Sequence, residues 1–109
     1  MGTKHRVTLP ALLLAVVLFV AAPALAHKVN IFAYLEGETV HTESYFLDGR
    51  PVEAGTIEVL DETGRRLLEG KTDPAGKFSF PLPARQNLTI VINASMGHRN
   101  TFVLKKDEM

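Results

Sequence analysis

Short runs in which apolar and polar residues alternate, separated by turn sequences, constrain this chain more than any other feature. From Val29 to Leu35 every second residue is apolar, and Leu88, Ile90 and Ile92 repeat the pattern near the end. Such a period of two is typical of β-strands with one buried face. No segment after residue 26 has the 3.6-residue apolar stripe of an amphipathic helix. The sequence therefore predicts an all-β fold.

Turn sequences divide this part of the chain into seven predicted strands. Asp61-Glu62-Thr63-Gly64 and Thr72-Asp73-Pro74-Ala75-Gly76 supply residues that favour tight turns. Pro81 and Pro83 cannot donate to a ladder, so the strand that they end is expected at a sheet edge. We predict one antiparallel β-sandwich, of immunoglobulin-like or transthyretin-like type, over residues 27–109. Its strands are predicted at 29–35, 39–46, 56–60, 65–71, 77–82, 87–94 and 98–105, and the charged end after Lys105 is expected to fray.

The first 26 residues have the pattern of an export signal. Lys4 and Arg6 form a basic start, Val7 to Val20 is almost entirely apolar, and Ala24-Leu25-Ala26 places small residues before the expected cleavage point. A cleaved signal peptide, residues 1–26, predicts an exported protein in the periplasm or another extracytoplasmic space. The alternative is an uncleaved anchor. After Ala26 no stretch is long and apolar enough to span a bilayer, so no transmembrane segment is expected in the mature chain.

Composition and motifs exclude several classes of function. Because Lys4 and Arg6 precede His27, the mature chain carries ten of the 12 basic residues against all 12 acidic ones. This balance does not favour a nucleic-acid partner. The chain has no cysteine, and no nucleophile elbow, H-E-x-x-H or phosphate loop is present. We therefore expect a protein that is not an enzyme.

Two histidines at strand starts are the sharpest candidates for metal ligands. Cleavage after Ala26 would leave His27 with a free amine, and an amine beside an imidazole can chelate Ni²⁺, Co²⁺, Cu²⁺ or Zn²⁺. His98 has the same strand parity as the inward residues Phe102 and Leu104, just as His27 shares parity with Val29. Both histidines are therefore expected at one rim of the sandwich. The alternative for His98 is a capping histidine bonded to a loop carbonyl.

A third candidate metal site lies on the second predicted strand. His41 and Glu43 are two residues apart and share one face, so they can chelate an ion or act as ligand and supporting carboxylate. A solvated strand face is the alternative interpretation. Met96 offers a soft thioether near His98, although packing at the rim is the more ordinary role for it.

Three parts of the sequence resemble a known family. These are His27-Lys28-Val29-Asn30-Ile31-Phe32-Ala33-Tyr34, the region from Thr42 to Val52, and Asn93-Ala94-Ser95-Met96-Gly97-His98-Arg99. Together they resemble the extracytoplasmic accessory component of nickel/cobalt transporters of the energy-coupling-factor type. The middle, from Gly55 to Pro83, is similar to the carboxypeptidase regulatory-like β-sandwich group. The resemblance implies support of nickel or cobalt uptake, a membrane-embedded transporter subunit as partner, and His27 and His98 as the residues of interest.

Two functions follow as expectations. The first is a periplasmic metal-binding accessory protein that takes up Ni²⁺ or Co²⁺ for a membrane transporter. The second is a non-catalytic exported β-sandwich that docks on, or adheres to, another protein.

Overall fold

The computed structural model describes residues 28–109, and the proposed signal peptide and His27 lie outside the described residues. Within this range the chain is all-β, and its seven strands lie within one residue of their predicted ends. The small differences arise where end residues such as Arg65 and Leu82 lie just outside the strands. The strands are β1 (Val29–Glu36), β2 (Thr39–Phe46), β3 (Thr56–Leu60), β4 (Arg66–Lys71), β5 (Lys77–Pro81), β6 (Leu88–Asn93) and β7 (Arg99–Leu104).

The strands form two antiparallel sheets, which confirms the predicted seven-stranded sandwich. One sheet has three strands in the order β1-β2-β5, and the other has four in the order β4-β3-β6-β7. β5 is an edge strand, as Pro81 requires, because a proline nitrogen cannot serve a central ladder. β1 and β7 lie side by side at one side of the sandwich, where Phe32 and Phe102 meet edge to face at 5.9 Å.

The core is built from the apolar residues that the alternation assigns to the inner faces. β1 buries Val29, Ile31 and Ala33, and β6 buries Leu88, Ile90 and Ile92. The facing residues of the other strands and the β2–β3 connection complete one cluster, namely Val40, Val52, Ile57, Val59, Phe80 and Leu104. With no disulfide available, burial of these side chains at about 25 cal/mol per Å² is the main stabilising contribution.

On the side of the sandwich opposite β1 and β7, the outer strands of the two sheets approach each other closely. The ring of Phe78 on β5 packs directly over Gly70 on β4, where a Cβ atom would overlap the ring. Gly70 therefore gives an aromatic side chain room to bridge the sheets at their outer strands. This is a packing reason for a glycine inside a strand.

The end of the chain differs from the expectation that it frays. Lys106–Glu108 forms a 3₁₀ turn, and the backbone N–H of Lys106 donates to Asn87 Oδ1 at 2.8 Å. Met109 then packs against the core cluster. Turn hydrogen bonds and one apolar side chain order a segment whose charges suggested a free end. Within residues 28–109 the structure contains no helix of the length and apolarity needed to cross a lipid bilayer.

Candidate metal and ligand site

A pocket of about 320 Å³ lies at one rim of the sandwich, where the start of β1, the β2–β3 loop and the β6–β7 turn come together. The loop contributes Asp48 and Arg50, and the turn contributes His98. We call this site the rim pocket. Its lining residues are Lys28, Phe46, Leu47, Asp48, Arg50 and His98.

A side-chain hydrogen bond holds the start of β1 against β7 beside this pocket. Asn100 Nδ2, on β7, donates to the carbonyl oxygen of Val29 at 2.9 Å. Val29 follows Lys28, and Asn100 stands two residues after His98. This contact therefore contributes to bringing Lys28 and His98 into one pocket.

His98 lies at the junction of the β6–β7 turn and β7, and its ring packs against Phe46. The two rings meet edge to face, with centroids 6.0 Å apart. Nδ1 of His98 is buried and has no hydrogen-bond partner among residues 28–109. The alternative of a capping histidine bonded to a loop carbonyl through this nitrogen therefore finds no support here. A buried ring nitrogen without a partner is costly unless some group binds it.

The turn before His98 leaves Met96 almost fully exposed. Met96 and Gly97 both have positive φ, 61° and 76°, which is the conformation of tight primed turns. The Met96 side chain is 92% exposed. The prediction that Met96 packs at the rim is therefore wrong, because the residue is almost fully exposed.

Arg50 is the residue of the pocket that the sequence interpretation missed. Its Nε donates to Asp48 Oδ2 at 2.7 Å, and its backbone N–H donates to Asp48 Oδ1 at 3.0 Å. The guanidinium carbon lies 4.8 Å from the centroid of the Phe46 ring. The side-chain hydrogen bond from Arg50, followed by the backbone one, lowers the pKa of Asp48 and keeps it ionised. The signal was present in Asp48-Gly49-Arg50-Pro51, but Asp-Gly and proline are ordinary turn residues and do not by themselves indicate a site.

His41 lies on the outer face of the three-stranded sheet, with partners other than Glu43. Its Nδ1 is 2.8 Å from Ser79 Oγ, and its Nε2 is 3.3 Å from Glu36 Oε1. Glu43 shares this face two residues along β2, where it stands between Phe32 and Lys77 in the strand register. In residues 28–109 no group of three or more histidine or acidic side chains is placed to hold a metal ion.

His41, with its neighbours Ser79 and Glu36, is a separate site from the rim pocket. His41 and Phe46 are five residues apart on the same strand, which corresponds to roughly 17 Å at the usual rise of a β-strand. Metal–nitrogen bonds are only about 2 Å long. One ion therefore cannot bind both His41 and His98.

Exposed aromatic side chains cover the outer face of β1 and β2. Phe32 and Tyr34 have ring centroids 5.6 Å apart, and Tyr34 lies 5.3 Å from the His41 ring. Tyr45 is also exposed on this face. Large exposed aromatic residues are enriched at protein–protein interfaces, so the face is a candidate docking surface.

Comparison with known proteins supplies similarity without an assigned activity. No protein-family model matches the chain. Over 83 residues the chain is 31% identical to an uncharacterized protein of Haemophilus influenzae, and this similarity covers 73% of the chain and 52% of that protein. The chain thus spans about half the length of this relative.

Proposed function

We propose that this chain is an exported metal-binding accessory domain that captures Ni²⁺ or Co²⁺ at the rim pocket for a membrane-embedded transporter subunit. The observation that carries the proposal is that Lys28 and His98 line the same pocket. His27 is joined to Lys28 by one peptide bond, and consecutive Cα atoms are only about 3.8 Å apart. A donor at His27 would therefore be one residue away from a residue that lines the pocket with His98.

The chemistry of the donors supports a borderline metal ion. After cleavage behind Ala26, the amine and Nδ1 of His27 would form one chelate ring, and the His98 ring would supply a third nitrogen. An α-amine has a pKa of about 7.7–8.0, so a fraction is deprotonated at neutral pH. Nδ1 of His98 is buried without a hydrogen-bond partner among residues 28–109, so a ligand bound to this nitrogen would remove the cost of leaving it unpaired.

The choice of nickel or cobalt rests on the sequence resemblance to transporter accessory components. Nitrogen donors alone bind Cu²⁺ more tightly than Ni²⁺ or Co²⁺, so the donor set does not select between them. The same resemblance supports the transporter subunit as the partner that receives the ion.

Calorimetric titration with Ni²⁺ and Co²⁺ tests the proposal. The protein that begins at His27 is compared with a form that has one glycine before His27, which converts the amine into an amide. We expect the added glycine and the His98→Gln variant each to weaken binding at least tenfold. His41→Gln is the control and should bind as the unmodified protein does. Equal affinity of the unmodified, glycine-extended and His98→Gln proteins would refute the proposal.

The exposed aromatic face supports a second function, docking on another protein without metal binding. This function predicts the same Ni²⁺ titration for the unmodified protein and His98→Gln. It also predicts that Phe32→Ser combined with Tyr34→Ser abolishes co-purification of the partner, because these rings would form the docking surface. Both rings lie outside the core, so the double variant is expected to remain folded. If His98→Gln weakens Ni²⁺ binding while the double serine variant co-purifies the partner as the unmodified protein does, the docking function is excluded.

A further inference from the structure

Arg50 presents an oriented guanidinium at the rim pocket. Asp48 accepts from Nε at 2.7 Å, and the ring of Phe46 lies against the guanidinium at 4.8 Å. The contact with Asp48 uses the Nε side of the group, and within residues 28–109 no acceptor binds the edge that carries both Nη atoms. A guanidinium held in this way is pre-organised for two parallel hydrogen bonds to a carboxylate.

The charges around the pocket favour an anion over a bare metal ion. Arg50 and Asp48 offset each other as an ion pair, while Lys28 adds a positive charge at the same pocket. Lys28, Arg50 and Asp48 together carry one net positive charge, which repels a free dication and attracts a negatively charged complex.

The size of the pocket and the number of nitrogen donors also favour a metal complex over a bare metal ion. A volume of about 320 Å³ is at the lower end of the range for small-molecule sites, and one water molecule occupies only about 30 Å³. Among the described residues that line the pocket, His98 supplies the one imidazole donor. At least one position of a tetragonal Ni²⁺ ion would stay open for an oxygen donor.

We infer that the rim pocket binds a small carboxylate through Arg50, and that the metal ion reaches His98 as a carboxylate complex. This inference rests on the proposed function for its second part only. Arg50 and Lys28 hold the carboxylate, and His98 binds the ion that the carboxylate carries. Specificity then lies in the complex rather than in the ion alone.

Citrate without metal tests the carboxylate site independently of the metal site. The protein is purified after export, its amino terminus is determined by mass spectrometry, and amide and arginine Nε–H signals are followed by NMR during titration. We expect shifts at Arg50 and His98, a loss of at least tenfold in affinity for Arg50→Gln, and a smaller loss for Arg50→Lys, which keeps the charge but not the paired donors. Arg66→Gln is the control, because Arg66 pairs with Glu58 and Glu69 on the four-stranded sheet.

Three outcomes would overturn the carboxylate site: no shift with citrate at millimolar concentration, the same citrate affinity for Arg50→Gln and the unmodified protein, or equal affinity for inorganic phosphate. Thermal melting of each variant shows whether it is folded. The second part is tested by calorimetry with Ni²⁺ alone and with nickel citrate. Tighter binding of nickel citrate, lost in Arg50→Gln, supports delivery as a complex, and equal binding refutes it. If citrate binds but neither form of nickel does, the proposed function fails and the carboxylate site stands.

Discussion

Two buried hydroxyl groups on β2 have opposite effects on stability at the scale of single residues. Thr42 and Ser44 are each 1% exposed on the inner face of the strand. The Thr42 hydroxyl donates to the carbonyl of Phe78 at 2.8 Å, whereas Ser44 Oγ has no partner among residues 28–109. A buried hydroxyl stabilises only when it is hydrogen-bonded.

The Ser44→Ala substitution should therefore stabilise the domain. Removing an unpaired buried hydroxyl is expected to raise the free energy of unfolding by about 1 kcal/mol. Thr42→Val is the matched control, and it should lower the free energy by about 1 kcal/mol because it removes a hydrogen bond that is made. Urea denaturation of the three proteins measures both changes. Destabilisation by Ser44→Ala would show that the hydroxyl has a partner in solution.

The Gly70→Ala substitution should destabilise the domain. The added methyl group would overlap the ring of Phe78, which bridges the outer strands of the two sheets. Overpacking of this kind costs about 1–3 kcal/mol. Phe78→Leu in the Gly70→Ala background should recover part of the loss, because the smaller side chain leaves room for the methyl group. If the losses of stability caused by Gly70→Ala and Phe78→Leu alone simply add in the double variant, the contact between these two residues is contradicted.

At the scale of elements, strands were predicted from sequence far better than their arrangement. Period two, β-branched residues and turn sequences are local signals, and they placed each strand and, for every strand except β4, its buried face. Sheet order depends on contacts between distant residues, such as Phe78 over Gly70, which no local pattern contains. The docking of Met109 was missed for the same reason, since its charged neighbours suggested a free end.

The Asn100→Ala substitution should loosen the junction between β1 and β7. It removes the hydrogen bond to the Val29 carbonyl, and we expect a loss of about 1–2 kcal/mol in stability. Amide hydrogen exchange should accelerate at the start of β1, and Ni²⁺ affinity should fall because the rim pocket is less well formed. Asn93→Ala is the control, because Asn93 bonds Glu58 within the four-stranded sheet. Unchanged exchange at β1 would refute this role of Asn100.

At the scale of the whole molecule, the two faces of the three-stranded sheet have different tasks. The inner face holds the core, and the outer face carries aromatic rings that lie outside the core cluster. Sequence parity separated these faces correctly. It also placed His98 near the start of β1, but it did not identify Arg50, because the ion pair with Asp48 and the contact with Phe46 exist only after the loop folds back on the strand.

Alanine at Phe80 and at Tyr34 should reveal this difference. Phe80 is 3% exposed and Tyr34 is 40% exposed. Phe80→Ala should cost about 3–5 kcal/mol, a large part of the roughly 4–12 kcal/mol expected for a domain of this size. Tyr34→Ala should cost much less, because its ring packs on neighbours rather than in the core. Thermal unfolding of both variants tests this, and similar losses would mean that the outer face also stabilises the fold.

The hydrogen bond from Asn100 to Val29 also determines at which stage of folding the rim pocket can form. Its two residues are 71 positions apart, and they lie on the strands made first and last among the seven. Closing so long a loop is slow compared with forming a hairpin. A nascent or partly folded chain therefore has no assembled pocket, and ligand binding at the rim would report that folding is complete.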